Sequence, residues 1–128
     1  MIYIDSSVAL AHLLGEDRVP PAGLWREDLI SSRLLEYEVW NRLHAYGLGS
    51  SHGEEARIVI GRLRLTSLTE IALARALMPF PRPLRTLDAL HLATAAFLQS
   101  AETSLRLATY DVRLAECASQ LGIPLADL

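Results

Sequence analysis

Ile2-Tyr3-Ile4-Asp5-Ser6-Ser7 opens the chain and sets a rhythm that the rest of it repeats. Three apolar, β-favouring residues in a row read as a short strand. Asp5, Ser6 and Ser7 are all good helix caps. The strand therefore runs directly into a helix predicted over residues 8–14 and stopped at Gly15. Strand and helix then alternate downstream. Residues 16–28, with Pro20 and Pro21, read as a loop or short helix, and 29–32 as a second strand. Apolar residues at 35, 39, 43 and 46 have helical spacing. Gly47 to Gly53 break that helix, and another is expected over 54–63. A strand over 65–68 and a helix over 70–77 come next. Pro79, Pro81 and Pro83 stiffen the next connection. Thr86 caps a helix running to about Ser100. It is apolar on nearly every side and so is expected in the middle of the fold. Residues 105–109 read as a strand, and Asp111 caps a helix ending at Gly122. Pro124 stands just beyond, and 124–128 is expected as a last edge strand. Strands alternating with helices predict an α/β fold with a mostly parallel central sheet of four to five strands, covered on both faces.

At 128 residues the chain is expected to be one domain. Hydrophobic residues make up 51%, enough for a real core, which speaks against disorder. Cys117 is the only cysteine, so no intrachain disulfide framework exists, and a reducing cytoplasmic setting fits. The N-terminal residues lack a positive leader and carry an early acid, unlike a signal peptide. No apolar run reaches the roughly 18 residues of a membrane span, so no membrane association is expected. Net charge is −3, which is not the balance of a general basic nucleic-acid binder. All 12 basic residues are arginines. The lack of lysine excludes a Walker A phosphate loop and a Schiff-base enzyme. Arginine remains able to grip phosphate through its planar fork, with genomic composition bias the plainer reading of the usage.

Asp5, Asp88 and Asp111 each open a helical pattern. Taken singly, each has a structural explanation, as a cap or a partner of the helix dipole. Taken together they ask for more. One α/β sheet brings strand ends and the following helix starts to a single rim. Neutral Ser or Asn caps would avoid repulsion there, whereas grouped carboxylates destabilise a fold unless a cation neutralises them. Hard cations such as Mg²⁺ and Mn²⁺ take oxygen ligands. A fourth acid comes from the helix over 34–46, but periodicity alone leaves Glu36 and Glu38 both open.

Other features point elsewhere. Gly49-Ser-Ser51-His-Gly53 matches the G-x-S-x-G pattern of a serine hydrolase elbow. That elbow needs a strand before it, and here a helix precedes, so a polar linker between helices is expected. His12, His44, His52 and His91 form no zinc-type spacing. His91, three residues after Asp88, reads as a partly buried packing histidine that could also touch substrate. Trp25 and Trp40 could stack on bases, with core packing the plainer reading.

The stretches Ile2-Tyr-Ile-Asp5-Ser-Ser7, Ser32 with Glu38-Val39, Leu84-Arg-Thr-Leu-Asp88-Ala-Leu-His-Leu-Ala-Thr94 and Thr109-Tyr-Asp111-Val-Arg-Leu-Ala115 resemble PIN-domain ribonucleases. Within them the likeness is to the VapC toxins of bacterial type II toxin–antitoxin pairs, and it covers essentially the whole chain. The resemblance implies a PIN-like three-layer fold and a metal-dependent endoribonuclease cutting RNA with metal-activated water. It implies Asp5, Glu38, Asp88 and Asp111 as the acids that bind Mg²⁺ or Mn²⁺, and its spacing selects Glu38 over Glu36. Ser6 and Thr109 would hold those carboxylates by hydrogen bonds. A homodimer and a VapB-like antitoxin whose C-terminal segment covers the site are implied too. With no lysine, RNA contacts would fall to arginines, with Arg33, Arg42, Arg82, Arg85 and Arg113 near the motifs. The rival expectation is a catalytically weak PIN-like binding module whose acids are structural. A receiver-type phosphoacceptor would need a lysine.

Overall fold

Ile2 and Ile4 turn to one face of a sheet and Tyr3 to the other, as the two-residue period of a strand requires. That alternation divides the interior in two. The computed structural model describes residues 1–101 and 104–128. Its elements run β1 (Ile2–Ile4), α1 (Ser6–Leu14), a 3₁₀ turn (Ala22–Arg26), β2 (Leu29–Ser32), α2 (Leu34–Ala45), α3 (Gly49–Gly61), β3 (Arg64–Thr66), α4 (Glu70–Ala76), α5 (Thr86–Ala101), β4 (Arg106–Ala108) and α6 (Val112–Gln120). The four strands form an all-parallel sheet in the order β3-β2-β1-β4. Parallel sheets are stable only when both faces are covered. Here α1, α2 and α3 cover one face around Ile2, Ile4, Val8, Leu35, Val39 and Leu43. On the other, α5 and α6 pack around Tyr3, Leu92, Leu105, Leu107 and Leu114. Each fully buried aliphatic side chain of this kind contributes roughly 1.5–3 kcal/mol. The result is the three-layer α/β arrangement that the alternation predicted.

Three local expectations are corrected. Gly49 to Gly53 is not a linker but the first turns of α3. The two glycines act by allowing close approach between α2 and α3. A β-carbon on Gly53 would stand 3.1 Å from the Trp40 ring, and one on Gly49 would stand 2.9 Å from His44 Nδ1. Helix α5 is not buried all round, because Leu87 near its start is 45% exposed. The C-terminal edge strand reduces to one parallel bridge between Leu107 and Leu125. Pro124 has no amide hydrogen to add to a ladder, so the pairing stops at two hydrogen bonds of 2.8 Å. Among the described residues no helix is long and apolar enough to cross a membrane.

Candidate active site

The order β3-β2-β1-β4 means that the chain leaves β1 for β2 on one side and returns later to β4 on the other. The helices that follow β1 and β4 pack on opposite faces of the sheet, which opens a crevice at its switch point. Asp5 directly follows β1, and Thr109 to Asp111 follow β4. They are stitched together. Thr109 Oγ1 donates to Asp5 Oδ2 at 2.5 Å and accepts the Asp111 amide at 3.0 Å. Ser7 Oγ donates to Asp5 Oδ1 at 2.5 Å and accepts the Tyr110 amide at 2.9 Å. The Ser7 amide adds a bond of 3.1 Å to the same Asp5 oxygen, which makes Asp5 the cap of α1. Asp111 caps α6 through a 2.9 Å bond from the Leu114 amide. Capping and site-building are thus the same placement, since a helix start on this rim aims its cap into the crevice.

Glu38 reaches the crevice from the middle of α2. Its Oε2 accepts from Ser6 Oγ at 2.8 Å, and its Oε1 is hydrogen bonded to His91 Nε2. Glu36 pairs instead with Arg33, one turn away and outside the crevice. Asp88 comes from the first turn of α5. The exposed Arg85 guanidinium bridges the outer pair, with Nε 3.3 Å from Asp88 Oδ2 and Nη2 3.7 Å from Asp111 Oδ2. A cavity of about 870 Å³ has Asp5, Glu38, Asp88 and Asp111 in its wall, with Ser6 and Ser7. Glu16 and Asp17 join them, so the wall carries six carboxylates against the guanidinium groups of Arg18, Arg42 and Arg85.

These placements set the electrostatics of the cavity. Burial raises the Asp5 carboxyl above its ordinary value; the Ser7 and Thr109 hydrogen bonds oppose this, and the Asp88 charge adds to it. Burial also raises Asp88, the Asp111 charge adds, and Arg85 opposes. Among the described residues, no three His, Cys, Asp or Glu side chains converge on one point. The donor chemistry nevertheless suits a hard cation: all oxygen, partly dehydrated and mutually repelling, which a divalent ion relieves. The four acids line one cavity, where Glu38 meets Ser6 and His91 while Asp88 and Asp111 meet Arg85.

Of the arginines singled out from sequence, Arg42 and Arg85 line this cavity, and Arg113 lines an adjoining one of about 460 Å³ with Asp88 and Asp111. Arg82 is paired with Glu116, and Arg33 with Glu36. Trp40 packs against Gly53, stacks on His44 and lies under the Arg57 guanidinium. Trp25 packs beside His12 at a ring separation of 4.9 Å. Sequence reasoning missed Ser7, Arg18 and the buried role of His91. For Ser7 a signal existed, since a hydroxyl two residues after a capping aspartate is placed to bond it.

The PIN domain family profile matches residues 2–120. The chain is similar to ribonuclease VapC47 of Mycobacterium tuberculosis (strain CDC 1551 / Oshkosh), with 32% identity over 129 residues, 95% of this chain and 93% of that protein. It is likewise similar to ribonuclease VapC46 of Mycobacterium tuberculosis (strain ATCC 25618 / H37Rv), with 35% identity over 128 residues and the same coverage of each chain.

Proposed function

The chain belongs to the PIN-domain family, with VapC ribonucleases as relatives, and from that premise we propose that it is a metal-dependent endoribonuclease toxin, folded as one domain over residues 1–128. The observation that carries the reading is the cavity at the switch point, with Asp5, Glu38, Asp88 and Asp111 in one wall. Six carboxylates against three guanidinium groups repel a phosphodiester. Added positive charge makes such a cavity hospitable to RNA, and hard divalent ions are the charge these oxygens suit.

Asp5, Glu38, Asp88 and Asp111 would hold Mg²⁺, with Mn²⁺ as the alternative. When bound, the ion supplies Lewis acidity and lowers the pKa of water that attacks phosphorus. The chain's own residues do the rest. Ser7 and Thr109 fix the plane of the Asp5 carboxylate from both sides, and Ser6 fixes one edge of Glu38. Placement of this kind is where enzymes gain rate, because misaligned ligands must reorganise during reaction. A carboxylate of the set takes the proton of the attacking water. Arg42 and Arg85, on the cavity wall, grip the flanking phosphates. Water attack leaves a 5′-phosphate and a 3′-hydroxyl and makes no use of the ribose 2′-hydroxyl. The toxin works in the cytoplasm as a homodimer and is inhibited by a VapB-like antitoxin.

The test is RNA cleavage by the purified chain beside Glu38→Gln and Glu36→Gln, with end-group analysis of the products. Glu38→Gln should abolish cutting and Glu36→Gln should leave it, with 5′-phosphates on the fragments. Equal effects of the two changes would sink the site assignment. A second reading, a catalytically weak PIN-like binding module, is favoured by one observation: no three of the acids converge as the chain stands. It predicts RNA or protein binding with no cutting at any metal concentration.

A further inference from the structure

Asp5 and Asp111 are oriented by the backbone they cap, but Glu38 has no such anchor. It lies mid-helix on a flexible side chain, and its position depends on what meets it. One oxygen meets Ser6. The other meets His91 Nε2, and behind that ring stands Tyr3, whose hydroxyl is 2.7 Å from His91 Nδ1. His91 is 1% exposed and Tyr3 is fully buried, with the two rings edge to face at 5.8 Å and 72°. The row crosses three elements, from β1 through α5 to α2. A polar row this deep is costly unless every member is satisfied, and here both imidazole nitrogens have partners.

We propose that His91, set by Tyr3, is a positioning residue that fixes the Glu38 carboxylate in the cavity. With the ring neutral, the donor logic has one solution. A carboxylate only accepts, so the nitrogen facing it carries a proton. The opposite nitrogen then accepts from the Tyr3 hydroxyl, which selects the ring tautomer, as the partners of ligand-supporting groups do elsewhere. Burial raises the Tyr3 hydroxyl well above its ordinary value, so it keeps the proton it donates. Helix α5 thereby contributes twice: Asp88 enters the cavity directly, and His91, one turn later, reaches Glu38 from behind.

The role in cleavage rests on the ribonuclease reading, whereas the tautomer does not, so two measurements separate the failures. In ¹⁵N-labelled protein, imidazole correlation spectra of wild type should show the proton on Nε2 and a bare Nδ1, and Tyr3→Phe should disturb that pattern. A proton on Nδ1 in wild type overturns the proposal whether or not RNA is cut. In cleavage assays, His91→Leu should lower kcat by roughly ten- to a hundredfold with KM unchanged. His91→Gln, which retains a side-chain N–H donor, should recover most of that loss. Folding of each variant is followed by thermal unfolding. Should His91→Leu not fold, Tyr3→Phe, which keeps the ring, should still lower kcat. A folded His91→Leu, or in its place a folded Tyr3→Phe, with wild-type kcat overturns the positioning role. A wild type that cuts no RNA removes the ribonuclease reading and leaves the tautomer to be judged by the spectra alone.

Discussion

Replacing Thr109 by Val removes one hydroxyl while keeping the branched shape, and its cost can be worked from the hydrogen bonds it breaks. The hydroxyl donates to Asp5 Oδ2 at 2.5 Å and accepts the Asp111 amide at 3.0 Å. Asp5 is 3% exposed, so water does not replace the lost donor. A hydrogen bond to a charged group is worth about 1.5–3 kcal/mol and a neutral one about 1. The expected loss with Asp5 ionised is therefore about 3 kcal/mol, or roughly 10 °C in Tm for a chain of this size. The pH dependence has a definite sign. The folded Asp5 carboxyl lies above its ordinary value because of burial. Its contribution to stability is thus full below the unfolded value and is lost as pH rises through the folded one. Thr109→Val pushes the folded value higher still, which extends that loss. Urea unfolding should show a gap of about 3 kcal/mol between wild type and variant at pH 8. It should narrow to about 2 kcal/mol at acid pH, once the folded carboxyl takes up its proton and both lost bonds are neutral. Thr109→Ser, which keeps the hydroxyl, should show no such pH dependence. A gap of the same size at both pH values would refute the charge-assisted bond and the reasoning built on it.

The same geometry sets four further outcomes. Saturating Mg²⁺ or Mn²⁺ should stabilise the fold by an amount that grows with ion concentration, about 2.7 kcal/mol at a hundred times Kd, read as a rise in Tm that EDTA reverses; no shift in wild type would contradict a metal site. Asp88→Asn should raise stability at neutral pH in urea unfolding, because it removes a charge disfavoured by burial and by Asp111, while eliminating most of that metal shift. Arg42→Ala should weaken RNA binding and reduce the salt slope by about 0.7 for a single strand if Arg42 meets one phosphate; an unchanged slope would place it outside the RNA path. Gly53→Val should cost about 1–3 kcal/mol in thermal unfolding, because its β-carbon would press on the Trp40 ring.

What could be read from the chain alone depended on whether the signal was local. Asp5 and Asp111 announced themselves because each caps the helix that follows a strand, and the parallel topology then carries both to one rim. Asp88 was legible differently, as an acid in the first turn of a helix that no strand directly precedes. Glu38 was not separable from Glu36 by periodicity, since both flank the buried stripe of Leu35, Val39 and Leu43. The difference lies in partners distant in sequence, Ser6 and His91 for one and Arg33 for the other. Tyr3 and His91 are 88 positions apart, so no local pattern could pair them. Gly49 and Gly53 read as breakers because glycine disfavours helix on its own. Their use is tertiary, since they admit the Trp40 and His44 rings. The last strand looked complete by composition, but Pro124 limits how many ladder bonds it can form.

Whether the four acids form a metal-dependent cutting site is decided by incubating a mixed total-RNA substrate with the purified chain and Mg²⁺ or Mn²⁺, beside EDTA, Asp5→Asn and Asp88→Asn. Wild type should cut, and cutting should stop with EDTA and in both variants, each variant remaining folded. Cutting that persists in EDTA or in either variant would contradict the assignment.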